Sequence, residues 1–250
     1  MLLTERHIIS NSNPLWKEID NLSFLSKNLY NLATYYCRQQ YIKSGTFISW
    51  GKLYNLLKPS VDYKAFPAQR IPDNIIKLIM EIWKSFKAAL EEYKINPHKF
   101  TSKPKLPKYK DKLKGRFVVP FREQAIYKKQ LDKGICHLSK TNIKVHTKAN
   151  KHNIKEARLI PNSTCYVLEI IYEVPDVEKL PETYIAGIDL GVNNLVALTS
   201  NKPGVTPLLI NGRPLKSRNQ FYNKVKVKLQ SNLKKDQHWS IKLAYLTHNR

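Results

Sequence analysis

Apolar residues in the first hundred positions recur at spacings of three and four. Leu15, Ile19, Leu22, Leu25, Leu29, Ala33 and Tyr36 form one such series, which is the apolar face of a helix. Asn13 followed by Pro14 reads as a cap and a first-turn proline, and Ser44-Gly45 closes the run. A shorter helix is expected over 50–57, ahead of Pro59. A third carries Ile75, Ile79, Ile82, Phe86, Leu90 and Tyr93 on one stripe and stops at Asn96-Pro97. Tyr35, Tyr36, Trp83 and Phe86 fall on these stripes and read as core. Three amphipathic helices with facing stripes predict a small bundle.

Past residue 100 the pattern becomes short runs of β-branched and aromatic residues, at 117–119, 135–138, 143–145 and 166–174. Lys133-Gly134 and Pro161-Asn162-Ser163 supply turns between them. The last run breaks strict alternation at Ile170-Ile171. Together they predict an antiparallel barrel or sheet, to which 3–9 adds a strand, with the helices as an insertion. A third block begins after Pro181. Its first strand, 184–190, is mostly apolar and holds one carboxylate, Asp189. Gly191 and Asn193-Asn194 turn the chain into a strand at 195–198. A third strand follows at 207–210, then Asn211-Gly212, and Pro214 opens a basic helix running past Leu233. Hairpin strands followed by a helix are the opening of an α/β domain.

Charge narrows the function. The chain holds 43 Lys and Arg against 19 Asp and Glu, a formal net charge of +24, and that much self-repulsion is tolerated where a polyanion neutralises it. No apolar run has the length of a transmembrane helix. The amino terminus lacks a charged segment followed by an apolar core, so no secretory signal is read. Nucleic acid is therefore preferred over a membrane surface. Nine cations and one acid, Asp111, lie within 94–116, a tract that Pro97, Pro104, Pro107 and Gly115 keep from being a regular helix. Lys103, Lys105, Lys108, Lys110, Lys112 and Arg116 are its candidate phosphate contacts, a flexible linker being the plainer reading. Residues 211–235 hold eight cations and no acid. Arg213, Lys216, Arg218 and Lys224 are candidates there, with Tyr222 among them and Phe221 expected to face the sheet. Cys37, Cys136 and Cys165 are too few and too far apart for a disulfide framework or a zinc ribbon, and read as buried thiols. None of the seven histidines sits at metal-ligand spacing.

Asp189 is the sharpest chemical feature. A carboxylate amid apolar residues is costly unless a metal, a cation or hydrogen bonds satisfy it, and phosphodiester hydrolysis suits hard divalent ions held by such oxygens. The plainer reading is a turn cap or a lysine partner. The segment 187–191 also resembles the first phosphate motif of sugar-kinase, chaperone and actin-like ATPases, but about sixty residues follow it here. The longer pattern is more specific. Gly187-Ile188-Asp189-Leu190-Gly191-Val192-Asn193-Asn194-Leu195, followed by Ile210-Asn211-Gly212-Arg213-Pro214-Leu215-Lys216-Ser217 and Asn219-Gln220-Phe221-Tyr222-Asn223-Lys224, resembles the first RuvC segment of the TnpB family of insertion-sequence proteins, relatives of the compact type V CRISPR effectors. Phe66-Pro67-Ala68-Gln69, the run 103–110 and Ile154-Lys155-Glu156-Ala157-Arg158 stand in the order that family shows.

The resemblance implies an α+β multidomain chain. Residues 1–12 are the first strand of a β-barrel wedge module, 13–97 a helical recognition bundle inserted in it, and 98–180 the basic tract and the rest of the wedge. Residues 181–250 are a truncated RuvC/RNase H-like α/β domain. It also implies guide RNA and target DNA as partners, a cytoplasmic, nucleoid-associated setting in a prokaryote, and an Mg²⁺-dependent site in which Asp189 is the first of three carboxylates. No further Asp or Glu precedes Asp236, so this chain alone is not expected to cut DNA. Mg²⁺ would bind only where the site is completed, a second polypeptide being one source of the missing carboxylates, and no zinc site is expected. The alternatives are a nuclease-dead, RNA-guided DNA-binding regulator and a generic basic RNA-binding protein.

Overall fold

The computed structural model describes residues 1–176, 183–235, 237 and 239–248. The start of the third block at Pro181, Asp236 and His238 fall outside them. The chain divides into two units, 1–175 and 176–250.

The first unit opens with β1 (Leu2–Ile9) and continues into α1 (Trp16–Ser44), α2 (Trp50–Leu57), the single turn α3 (Val61–Lys64) and α4 (Arg70–Ile95). Then come β2 (Val119–Arg122), the single turn α5 (Lys128–Leu131), β3 (Ile135–His137), β4 (Lys144–His146), β5 (Ile154–Pro161) and β6 (Tyr166–Glu173). Strands β1, β6, β5 and β2 make one four-stranded sheet in that order, antiparallel throughout, and β3 and β4 form a separate hairpin. The helices thus lie in the chain between the two edge strands of one sheet. Pro120, which cannot donate to a ladder, sits on the edge strand β2, where prolines are tolerated.

The helix periodicity is realised with small shifts. Asn13 does not cap α1 as expected. Its Oδ1 accepts from Leu15 N at 2.9 Å in a turn that precedes the helix, and Pro14 lies before the first helical turn rather than in it. At the other end Gly45 takes φ 67° and its N–H caps the carbonyl of Tyr41, a left-handed position that favours glycine. Ile19, Leu22, Leu29 and Ala33 are buried from α1, and Ile75, Ile79, Trp83 and Phe86 from α4, in one core with Leu53 and Leu57 of α2. Tyr35 departs from expectation: its side chain is exposed.

The sheet explains the irregular run in β6. Tyr166, Leu168, Ile170 and Tyr172 are buried on the core face, so alternation does hold. On the other face Glu169 is also buried, with Arg6 Nε 2.9 Å from its Oε1 and Arg158 Nη2 3.0 Å from its Oε2. A buried charge persists only when paired in this way. The adjacent β5 was not among the expected strands. A bulge between Ile154 and Glu156 puts Ile154 and Ala157 both in the core, which erases the two-residue period in the sequence.

All three cysteines are free and buried, and burial pushes the Cys37 and Cys136 thiols up to about 12.

The second unit is β7 (Ala186–Leu190), β8 (Asn194–Ser200), β9 (Leu208–Asn211), α6 (Arg213–Ser231) and α7 (Ile241–His248). Its three strands pair antiparallel in sequence order. α6 stops at Ser231 rather than passing Leu233, and α7 had no counterpart in the expected elements. Among the described residues no helix is long and apolar enough to cross a membrane.

Asp20 of α1 ties helix to sheet. Arg116 grips it twice, Nε to Oδ1 at 2.7 Å and Nη2 to Oδ2 at 2.8 Å, while Tyr166 Oη of β6 donates to Oδ1 at 2.6 Å. The Arg116 hydrogen bond, foremost, holds the Asp20 carboxyl below the usual aspartate range. A depressed folded-state pKa stabilises the fold above the unfolded value, near 3.9, and that stability is lost as pH falls through the folded value. Melting temperature should therefore drop as pH falls below about 4, and the drop should be smaller in Asp20→Asn. Equal acid slopes for the two proteins in thermal melts would remove Asp20 from this account.

Candidate nucleic-acid interface

The basic tract is neither helix nor loose linker. After a 3-10 turn at Pro97–Lys99 it follows α1, held there by its backbone. Arg38 Nη1 donates to the carbonyl of Pro107 at 2.9 Å, Tyr30 Oη to that of Lys108 at 3.0 Å, and Lys27 Nζ to that of Lys112 at 2.6 Å. Asn31 makes a reciprocal pair with Lys110: its Nδ2 donates to the carbonyl at 3.0 Å, and its Oδ1 accepts from the N–H at 2.8 Å. Farther along, Ser26 Oγ donates to Val118 O, and Phe117 N donates to Ser23 O. Residues 23, 26, 27, 30, 31 and 38 fall on one side of α1 by their spacing, distinct from its apolar series.

Sequence reasoning passed over this polar stripe because Ser, Lys, Asn and Tyr on a helix surface read as solvated. Their spacing of three and four was the available signal. Lys27 is the extreme case. It is buried, its ammonium stands 3.8 Å from the Phe24 ring centroid, and burial followed by the nearby Arg116 charge lowers its pKa.

Backbone anchoring leaves the tract's lysine side chains outward. Lys103, Lys105, Lys108, Lys110 and Lys112 are all exposed. Lys110 Nζ lies 5.7 Å from the Tyr30 and Phe117 ring centroids, which biases its direction without using up its donors. Arg116 is different: its guanidinium is committed to Asp20, so its place is in the helix–sheet tie rather than among the free cations. A second basic stretch escaped the sequence reading. Lys129, Lys133, Lys140, Lys144 and Lys148 surround the β3–β4 hairpin and are exposed, whereas Lys128 pairs with Glu123, and Lys151 with Asp132 at 3.3 Å.

In the second unit Arg213, Lys216, Arg218 and Lys224 all lie on α6 and are exposed. At about 100° per residue, Arg213, Lys216, Lys224 and Lys228 share one side of that helix. Half-buried Tyr222, Val225 and Leu229 lie toward the other, with Arg218 near them. Phe221 does not face the sheet; it is 70% exposed.

The glycines here serve close packing of the chain on itself. A Cβ on Gly191 would stand 2.8 Å from Asn194 O, and one on Gly212 would stand 2.6 Å from Val192 O. Gly212 N donates to Asn193 O at 2.8 Å and Lys216 Nζ reaches Asn193 Oδ1 at 3.4 Å, so the β7–β8 turn is clasped to the start of α6.

Asp189 sits on β7 opposite Ala197, at a shallow cavity of about 500 Å³ lined also by Ile188, Leu198, Leu208 and Leu209. It is exposed, so the desolvation argument that first singled it out does not hold for these residues. Among the described residues no three His, Cys, Asp or Glu come together as a metal site.

Comparison with known proteins bears on the same segment. Residues 169–250 match the OrfB_IS605 family model, described as a probable transposase. Over that segment the chain is similar to a probable transposase. The match holds Asp189, the clasped turn and the whole of α6. No curated protein matches the chain. Two solved structures resemble it at 16% identity each. A cryo-EM structure of the Cas12f1-sgRNA-target DNA complex has a TM-score of 0.36 over 99% of this chain. One of a CRISPR-Cas12f ternary complex has 0.34 over 94%. The chain spans 64% and 57% of those two chains.

Glutamine at Arg213, Lys216, Lys224 and Lys228 together should leave the melting temperature nearly unchanged, since all four are exposed. It should weaken nucleic-acid binding and flatten the log–log salt dependence by about 0.7–0.9 per contacted phosphate. Fluorescence anisotropy across a salt series reads both, and an unaltered slope would show that this face touches no phosphate.

Proposed function

We propose that the chain is a TnpB-like protein that binds a guide RNA and, through it, target DNA. The observation that carries this reading is the probable-transposase match over residues 169–250, in a chain of net charge +24 with two exposed cation arrays. In this reading the helices between β1 and β2 form the recognition bundle and the four-stranded sheet belongs to the wedge module. The hairpin strands with α6 open a RuvC-like domain. The lysines of 103–112 and the α6 cations neutralise phosphates, a role that needs no particular base sequence.

Asp189 takes the place of the first nuclease carboxylate. A pair of Mg²⁺ ions needs several oxygen ligands on rigid backbone, and one exposed carboxylate does not make that donor set. The residues described here therefore do not fit the metal, and cutting requires carboxylates from outside them, on further chain or on a second polypeptide. That single-carboxylate arrangement favours a second reading, a guided DNA binder that blocks without cutting.

The test is to purify the 250-residue chain with its RNA, sequence that RNA, and incubate the complex with a matching labelled DNA and Mg²⁺, beside Asp189→Ala. The expected result is a defined RNA, RNA-dependent DNA binding and no cleavage by either protein. Cleavage abolished by Asp189→Ala would show that the site is completed. Random cellular RNA and no target preference would leave only a generic RNA binder.

A further inference from the structure

An extended chain points successive carbonyls to opposite sides, so carbonyls that meet one neighbour at every second residue mark such a chain. The carbonyls of Lys108, Lys110 and Lys112 do this along α1, accepting from Tyr30, Asn31 and Lys27. Residues 107–118 run opposite to α1, from Arg38 at one end to Ser26 and Ser23 at the other. In an extended chain, side chains two residues apart share a face, about 6.6 Å apart. Lys108 and Lys110 are therefore set out in a row, with Lys112 following at its end in the first position of a turn, and Tyr109 between the first two is turned aside, with the Arg38 guanidinium 5.2 Å from its ring centroid. The row ends where Asp111 Oδ1 accepts from Leu113 N and Lys114 N and turns the chain. A step of this size is close to the distance between successive phosphates on one nucleic-acid strand. Free lysines on a flexible tract would lose entropy on meeting such a strand, and a tract already fixed by α1 loses less.

We propose that α1 and residues 107–112 form a rail for one phosphodiester strand. Lys108, Lys110 and Lys112 each meet a phosphate, and Tyr30, Asn31 and Lys27 are positioning residues that keep the row straight. The proposal rests on the nucleic-acid-binding reading and adds to it the strand's path and the helix residues that set it. The shared chemistry is the phosphodiester backbone, whether of RNA or of single-stranded DNA.

The test uses the full chain with labelled oligo-uridine and oligo-thymidine in separate salt series. Lys108→Gln/Lys110→Gln/Lys112→Gln should lower the log–log salt slope by about 2, about 0.7 for each lysine. Tyr30→Phe/Asn31→Ala removes no charge. It should keep the wild-type slope and yet bind about fivefold more weakly, the scale of a lost net hydrogen bond, at a temperature where circular dichroism shows both proteins folded. Faster hydrogen exchange at the Lys110 amide would accompany it. A purely structural stripe would lower the melting temperature and leave the affinity of the folded protein alone. Loss in both oligonucleotide arms points to the backbone alone, and loss in one arm identifies which strand the rail carries. The rail is overturned if the triple lysine variant keeps the wild-type slope, or if Tyr30→Phe/Asn31→Ala binds as tightly as wild type. A wild-type chain that binds neither oligonucleotide overturns both the rail and the nucleic-acid reading beneath it.

Discussion

Helix α1 must satisfy two neighbours of opposite character. Its apolar series packs against the other helices, and its polar stripe takes up the carbonyls of a segment that has no sheet partner and no helix of its own. Buried or half-buried carbonyls need donors, and between residues 107 and 118 those donors come from Arg38, Tyr30, Asn31, Lys27 and Ser26, while the carbonyl of Ser23 accepts from the Phe117 amide. Without that stripe the chain between the helices and β2 would have only water to bond with. β2 closes the edge of the sheet, and Arg116, which grips Asp20, stands three residues ahead of it. One side of α1 is therefore a main joint between the helical insertion and the sheet in the first unit, beside α4, which also packs on β2 and whose Glu81 lies 3.6 Å from Arg122 Nη2.

That dependence also explains which parts of the fold the sequence made legible. Periodicity found α1, α2 and α4 because each buries a single stripe of Ile, Leu and aromatic residues. It found β6 and β1 because one face of each meets a core. It missed β5, where the bulge at Ile154/Glu156 shifts the buried positions by one and charged residues fill the gaps. It took the 94–116 tract for a linker or a contact surface because prolines and lysines carry no period. What orders the tract is main-chain bonding to side chains about 80 residues away, and although the donors recur at helical spacing on α1, nothing local says which segment they hold.

The candidate site was legible by residue type and less so by environment. The candidate cations at 103–112 and Arg213, Lys216, Arg218 and Lys224 on α6 are exposed, but Arg116 is tied to Asp20 and Phe221 faces outward. Asp189 was singled out on the premise that an apolar strand is a buried one. Among the described residues β7 is exposed along its whole length. An apolar run reports burial only when something covers it, and what covers β7 is not written in the run itself.

The distribution of acids bears on function more than the net charge does. With 43 cations and 19 acids, even complete pairing would leave a large surplus, and the acids are not spent on pairing alone. Glu5 accepts from Thr147 Oγ1 and from the Lys148 amide, Glu18 from the Asn142 amide, and Asp111 from the Leu113 and Lys114 amides. Asp20 and Glu169 are held by arginines at the helix–sheet tie and on the sheet. Many of the carboxylates thus serve the fold, where they replace missing backbone partners or fix two elements together. Exposed ion pairs add little stability in any case. Part of the basic tract is treated in the opposite way: Lys99 pairs with Glu92, but at Lys108, Lys110 and Lys112 the protein binds the carbonyls and leaves the side chains exposed. A fold that uses many of its acids internally and anchors one basic segment by its main chain keeps positive charge exposed at the surface, where an external polyanion can meet it.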